Sequence, residues 1–194
     1  PNNMQKSFIK NLRKSLAKND KKGLLISATG TGKTFASAFA LKEINPKKIL
    51  FLVHREQIAK QAMKSYGKIF HEKTLGILSG NKKDYSVDFL FSTVQMMSKK
   101  ENYERYSRDY FDFIVIDEVH RAGSVSYQKI MNYFNPIFYL GMTATPDRSD
   151  EFDIYSLFNH NIIYEIRLKN ALEEDMLCSF NYFGITDNAI DVND

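Results

Sequence analysis

The chain has 194 residues, 43% hydrophobic and 26% charged, a composition that builds a core and excludes disordered and fibrous classes. A single cysteine excludes an internal disulfide framework and a cysteine zinc cluster, four scattered histidines lack H-x-x-x-H spacing, and no apolar run approaches the ~18 residues of a membrane helix. Net charge is +4, but residues 1–60 hold 13 basic and 3 acidic residues and residues 61–194 hold 14 and 20. That asymmetry suits the first third to a polyanion, such as a nucleotide or nucleic acid, or else to solvated surface helices.

In chain order, Asn2 or Asn3 is placed to cap a first helix whose apolar stripe is Phe8, Ile9, Leu12 and Leu16. A short apolar strand over 23–28 runs into a glycine-rich turn, and a helix comes next from about Lys33 to Ile44, with Pro46 just beyond. A buried strand over 49–53 precedes a helix from His54 to Phe70, and two more strands are expected over 74–78 and 87–92. The apolar run 113–116 is another strand, ending at Asp117. Ser124 is placed to cap a helix carrying Val125, Ile130, Met131 and Phe134, before a strand over 137–140. Polar stretches 81–88 and 99–109 read as loops. From Asp147 onward the chain holds 11 acidic and 3 basic residues, a shift that marks a candidate end of the core unit. Short, continuously apolar strands separated by helices predict an α/β fold: an open, mostly parallel sheet with helices on both faces.

Chemistry begins in Ala28-Thr29-Gly30-Thr31-Gly32-Lys33-Thr34, between a strand and a helix, the context a phosphate loop requires. The glycines allow backbone N–H groups to turn inward and cradle phosphates at a helix N-terminus. Lys33 is placed to reach the β- and γ-phosphates, and the Thr34 hydroxyl to ligate Mg²⁺. The commoner pattern wants glycine at Ser27, which is absent. The second constellation, Asp117-Glu118-Val119-His120, projects from a strand's C-terminal end, where ligands sit in open α/β sheets. Asp117 is the candidate Mg²⁺ carboxylate, acting through water, and Glu118 the group that orients and polarises the attacking water. The third is Thr143-Ala144-Thr145-Pro146, also at a strand end, where two hydroxyls can bond the acidic motif or simply form a turn.

Together these residues resemble the first, RecA-like motor domain of superfamily II helicases and translocases. ATGTGKT, DEVH and TATP match its motifs I, II and III in order and spacing, and its A-x-x-G-x-G-K-T form, which has alanine at the position of Ser27, explains the missing glycine there. Leu52-Val-His-Arg-Glu-Gln57 resembles motif Ia and Phe91-Ser-Thr-Val-Gln95 motif Ic. The stretch from Asp117 to Asp187 resembles a bacterial subgroup related to restriction-enzyme motor subunits.

The resemblance implies Mg-ATP hydrolysis run by Lys33, Thr34, Asp117 and Glu118, with Thr29, Gly30, Thr31 and Gly32 around the phosphates. It implies adenine recognition by Gln5 and coupling through His120, Thr143 and Thr145. His54, Arg55, Gln57, Ser79, Gly80, Thr93 and Gln95 would lie along a nucleic-acid path, holding phosphates rather than reading bases. His54 and Arg55 also suit the start of a solvated helix, and Thr93 a helix cap. His71 and His160 are assigned to structure or solvent, and Cys178 to a buried position.

The resemblance also implies a second RecA-like domain that completes the cleft. Only 48 residues lie beyond Pro146, too few for a domain of about 150. The expected division is a RecA-like ATP-binding domain over 1–146, then the end of that domain and the start of a connection over 147–194. Strands at 162–166 and 180–184 and a short helix over 168–174 are expected there. With Pro1 in place of a starting Met, the sequence reads as an excised fragment with no signal peptide, from a cytoplasmic protein. The expected partners are nucleic acid, with DNA favoured and RNA open, the second domain, and a nuclease or restriction subunit. An ATP-gated nucleic-acid-binding module and a phosphate-loop ATPase of another kind remain the alternatives.

Overall fold

The computed structural model describes residues 3–28, 30–146 and 153–166. Helix α1, Asn3–Ala17, buries Met4, Phe8, Ile9 and Leu12 at helical spacing, leaving a polar outer face. Strand β1, Lys22–Ser27, leads through the glycine turn into α2, Lys33–Ile44. Then come β2 (Ile49–Val53), α3 (Glu56–Gly67), β3 (Leu75–Ser79), β4 (Lys82–Lys83) and β5 (Phe89–Thr93). The remainder is α4 (Val94–Met97), α5 (Lys100–Tyr103), β6 (Phe113–Asp117), a single 3-10 turn (Val119–Arg121), α6 (Val125–Tyr133), β7 (Phe138–Thr143), α7 (Ile154–Leu157) and β8 (Ile162–Ile166).

All eight strands join one sheet in the order β4-β3-β5-β2-β6-β7-β1-β8. Every pairing is parallel except the short β3–β4 ladder. The continuous apolar runs exist because both faces are covered. In β2, Ile49, Phe51 and Val53 pack under α3, in the core that α1 and α2 also cover, while Leu50 and Leu52 belong to the core on the other side with Val94, Met97, Tyr127 and Ile130. The expected fold class is the one observed.

Several boundaries move for local reasons. The helix expected from His54 starts at Glu56, because Val53 still pairs with Thr93 and Arg55 remains extended at φ −127° and ψ 141°. It ends at Gly67, and Phe70 instead tucks back to stack on Tyr66. Ile137 and Val125, expected inside their elements, are exposed, so β7 begins at Phe138 and α6 faces the core with Tyr127 and Ile130. Ser124 holds the N-cap position of α6 without a side-chain capping bond.

The stretch expected to be a loop over 81–88 contains β4. That over 99–109 contains α5, where buried Asn102 donates to the Met96 carbonyl at 2.7 Å and accepts from the Tyr85 hydroxyl at 2.8 Å. Polar sequence there signals a side-chain hydrogen-bonded turn rather than an open loop. The expected capping role of Asn2, the helix over 168–174, the strand over 180–184 and Cys178 lie outside the described residues. Among the described residues, no helix is long and apolar enough to cross a membrane.

Candidate functional site

Parallel pairing sends β1, β7 and β6 to the same edge of the sheet, and their register decides what meets there. Ile26 aligns with Thr143, and Asp117 with Met142. The glycine loop after β1, the acidic motif after β6 and the threonine motif after β7 therefore emerge from three adjacent strands.

The loop is built around left-handed backbone. Gly30 has φ 87° and Gly32 φ 84°, conformations that cost glycine little and other residues more. The Ser27 and Thr31 hydroxyls meet at 2.5 Å, and Thr31 Oγ1 donates to the Ala28 carbonyl at 2.7 Å. Ser27 thus ties the base of the loop from the position where the commoner pattern has glycine. The Ala28 N–H donates to the Ile166 carbonyl at 3.2 Å, anchoring the loop to β8.

Lys33 Nζ donates to the Ser27 carbonyl at 2.9 Å and the Ala28 carbonyl at 3.3 Å. Burial lowers its pKa, and the carboxylates of Glu118 and Asp117 oppose that. Asp117 is pushed up to about 6, first by burial, then by Glu118, with Lys33 pulling the other way. These groups line a cleft of about 380 Å³ with Gly30, Gly32, Thr34, Phe35 and the α3 side chains Ile58, Gln61, Ala62 and Ser65. Gln5 lies on the inner side of α1. Its amide nitrogen is 4.0 Å from where a Cβ on Gly32 would stand. Thr29 lies outside the described residues.

Glu118 takes a left-handed conformation, φ 52° and ψ 48°, and its N–H bonds Asp117 Oδ1 at 3.1 Å. Its Oε2 lies 3.2 Å from His120 Nδ1, which also meets Thr143 Oγ1 at 3.1 Å. A carboxylate beside Nδ1 favours the tautomer with a proton there. Thr143 Oγ1 in turn accepts from the Thr145 N–H at 3.1 Å. One chain of contacts therefore runs from Glu118 to Thr145.

The same sheet edge continues along β2, β5 and β3, with Val53 opposite Thr93 and Leu78 opposite Ser92. Arg55, Gln57, Gly80 and Gln95 are exposed there. Two other residues of this group are already engaged. Thr93 Oγ1 accepts from the Met96 N–H at 3.3 Å and caps α4. His54 Nε2 meets the Tyr127 hydroxyl at 2.9 Å, and burial, with Arg121, His120 and Arg55 nearby, lowers its pKa to about 4. Nothing in the sequence pairs His54 with Tyr127, 73 positions away. Glu56 is held below the usual carboxylate range first by its hydrogen bond with Lys60 and to a lesser degree by nearby Ser79, whose buried hydroxyl nonetheless falls short of hydrogen-bond geometry. His71 and His160 are exposed and outside both groups.

The donor set fits a magnesium nucleotide. One carboxylate and one hydroxyl, Asp117 and Thr34, line a cleft at a helix N-terminus together with the half-buried ammonium of Lys33. Among the described residues no cluster of three or more histidine, cysteine or carboxylate ligands occurs. Mg²⁺ retains water and takes phosphate oxygens, so it needs no such protein cage.

A family model described as type III restriction enzyme, res subunit, matches residues 1–148. The chain is 32% identical over 170 residues to the type I restriction enzyme EcoAI endonuclease subunit of Escherichia coli, covering 81% of this chain and 20% of that protein. It shares its fold with a nuclease-deletion mutant of the Type ISP restriction-modification enzyme LlaGI, solved in complex with a DNA substrate mimic. The TM-score is 0.69 at 24% identity, over 91% of this chain and 20% of that one. The Hef helicase domain of Pyrococcus furiosus superposes with TM-score 0.64 at 20% identity, over 79% of this chain and 36% of that one. The chain spans 20% to 31% of the lengths of the curated relatives it matches. It belongs to the family of type III restriction enzyme res subunits, and it carries the ATP-binding motor domain of superfamily II helicases.

Proposed function

We propose that this chain is the first motor domain of a DNA-dependent ATPase that couples Mg-ATP hydrolysis to movement along the nucleic acid. The observation that carries the reading is the register that gathers Lys33, Asp117–Glu118 and Thr143 at the ends of three adjacent strands. Lys33 holds the outer phosphates once it leaves the Ser27 and Ala28 carbonyls, and the N–H groups from Gly30 to Thr34 surround the rest. Gln5, beside Gly32, is positioned to recognise adenine. Thr34 and Asp117 hold Mg²⁺, which when bound offsets phosphate charge. Glu118 orients and polarises the attacking water. His120 shares its Nδ1 proton between Glu118 and Thr143, so a shift of Glu118 toward water changes the hydrogen bond to the threonine motif.

Arg55, Gln57, Gly80, Thr93 and Gln95 hold the sugar–phosphate strand on the same sheet edge, with His54 positioned by Tyr127. DNA is favoured because the Escherichia coli relative is a restriction endonuclease subunit and the LlaGI structure contains a DNA mimic. A second motor domain closes the cleft, and a nuclease or restriction subunit is the accompanying partner. The motor unit takes in residues 1–146 and the part of the following segment that adds β8 to the sheet, before the connection toward that second domain.

Glu118→Gln in the protein that carries both motor domains keeps the side chain's shape but weakens its ability to polarise water. Mg-ATP binding by titration calorimetry should persist while steady-state hydrolysis falls about 10²-fold or more. Turnover near wild type would remove Glu118 from this role.

A further inference from the structure

Helix α1 contains no acidic residue, and its outer face presents Lys6, Lys10 and Lys14 at successive i,i+4 positions. Lys18 continues the row, because its N–H bonds the Lys14 carbonyl at 3.2 Å. At 1.5 Å and about 100° per residue the four stand about 6 Å apart along an axial length of about 18 Å, in a row that winds about 120° around the helix. All four are exposed, and among the described residues none is in an ion pair. Four lysines elsewhere have acidic partners, Lys42 with Glu72, Lys48 with Asp88, Lys60 with Glu56 and Lys100 with Glu104, and the other exposed lysines without one do not form a row of four at i,i+4 spacing. Arg13 on α1 is paired with Glu43 and adds little to the row. Like charges at i,i+4 destabilise a helix, so three successive repulsions are retained on one ridge.

The ridge cannot rotate inward. Its opposite face is locked by Met4, Phe8, Ile9 and Leu12, and Asn11 Nδ2 bonds the Ile163 carbonyl at 2.9 Å. A groove of about 180 Å³ beside it, between α1 and β8, contains Asp20, which accepts hydrogen bonds from Ser15 and Asn161. Lys14 and Lys18 also line that groove, but Asp20 there is held by Ser15 and Asn161 and forms no ion pair with either lysine among the described residues, so the contacting surface is the convex ridge itself.

We propose that the ridge Lys6–Lys10–Lys14–Lys18 docks the phosphate backbone of double-stranded nucleic acid, independently of sequence. A duplex carries one phosphate per about 3.4 Å of axis on each strand, so 18 Å of ridge faces about five. No aromatic side chain is exposed on this face of α1, which removes the stacking platform that single strands use. In sheet order β7 and β6 separate β1, which α1 packs on, from β2, where the proposed strand path begins. The ridge is therefore a second contact, and it stands or falls apart from that path.

The test uses this chain and a blunt 20-base-pair duplex of arbitrary sequence, read by fluorescence anisotropy between about 50 and 200 mM salt. Lys6, Lys10, Lys14 and Lys18 are replaced together by glutamine. A control replaces Lys64, Lys68, Lys99 and Lys129, which makes the same change in net charge at other exposed positions. The ridge variant should lose at least tenfold in duplex affinity at 100 mM salt, and its salt slope should shrink by about 3 to 4. The control should stay within about threefold, and the ridge variant should keep its affinity for a single strand and melt no lower than wild type. Equal losses in both variants, or wild-type duplex affinity in the ridge variant, would overturn the proposal. So would ridge-dependent binding of poly-glutamate as tight as the duplex, which would assign the surface to an acidic protein segment. Loss of single-strand binding in Arg55→Ala with the ridge response intact, or the reverse, separates this proposal from the strand path.

Discussion

At Asp117, burial and the neighbouring Glu118 carboxylate act in the same direction and hold the pKa at about 6, against an ordinary 3.8. The folded chain therefore keeps a proton between about pH 4 and pH 6 that the unfolded chain has released. The group's favourable contribution is complete below about pH 4 and is lost as pH rises through 6, so at neutral pH the ionised carboxylate is a cost. Asp117→Asn should stabilise the nucleotide-free chain at pH 7.5 by on the order of 1–2 kcal/mol. The gain should vanish near pH 3.5. Thermal melts of both proteins across that range check the sign, and a gain that grows on acidification would contradict it.

His54 runs the other way. Its pKa is depressed from 6.5 to about 4, so the unfolded chain binds the extra proton in that window and stability is lost as pH falls from about 6.5. The residue-scale chemistry of the site was partly legible. Lys33, Asp117 and Glu118 stand in short contiguous motifs. The Ser27–Thr31 bond and the His54–Tyr127 pair were not, because neither comes from a spacing rule.

At the scale of elements, α7 and β8 show how the sheet depends on chain beyond residue 146. β8 pairs with β1 from Leu24↔Ile162 to Ser27↔Ile166, and the Ile166 carbonyl anchors the Ala28 N–H of the loop. Phe158 closes over Gly141, where a Cβ would stand 2.7 Å from its ring, so only glycine admits it. Ile154, Phe158, Ile163 and Ile166 are all 3% exposed or less. Burying four such side chains is worth about 1.5–3 kcal/mol each, a sum comparable to a whole domain's ~5–15 kcal/mol.

A chain cut after residue 146 should therefore fail to fold stably, whereas residues 1–170 should hold a cooperative melt and bind Mg-ATP. Circular dichroism and gel filtration of the two fragments decide this. A well-folded 1–146 fragment would show that β8 is dispensable. Strand existence was readable from apolar runs, because residues buried on both faces cannot alternate with polar ones. The short elements β4 and α5 were not, since they are held by particular side chains such as Asn102 rather than by periodicity.

At the scale of the molecule, the described residues that line the cleft include no arginine. In related phosphate-loop enzymes an arginine at the transferring phosphate is worth about 10³–10⁵ in rate. Residues 1–194 alone should therefore bind Mg-ATP weakly and hydrolyse it at a barely detectable rate. Single-stranded DNA or RNA should not stimulate turnover, because stimulation needs a second domain to close on the first. A coupled phosphate-release assay with and without each nucleic acid measures this. Strong stimulated turnover would mean that the site is completed within this chain or by its self-association.

Chemistry held in contiguous residues, and layer order held in hydrophobic pattern, could be read without coordinates. The glycine loop, the acidic and threonine motifs and the doubly covered sheet all come from local spacing and composition. Which strand ends become neighbours could not be read that way, because it depends on topology. Lys33 and Asp117 are 84 positions apart, and their meeting depends on β7 entering the sheet between β1 and β6. Folding also laid the α3 residues Ile58, Gln61, Ala62 and Ser65 along the cleft, and it turned four evenly spaced lysines outward as one unpaired ridge. Spacing fixes which side of a helix a residue occupies. What that side faces is set by the packing of elements far apart in the chain.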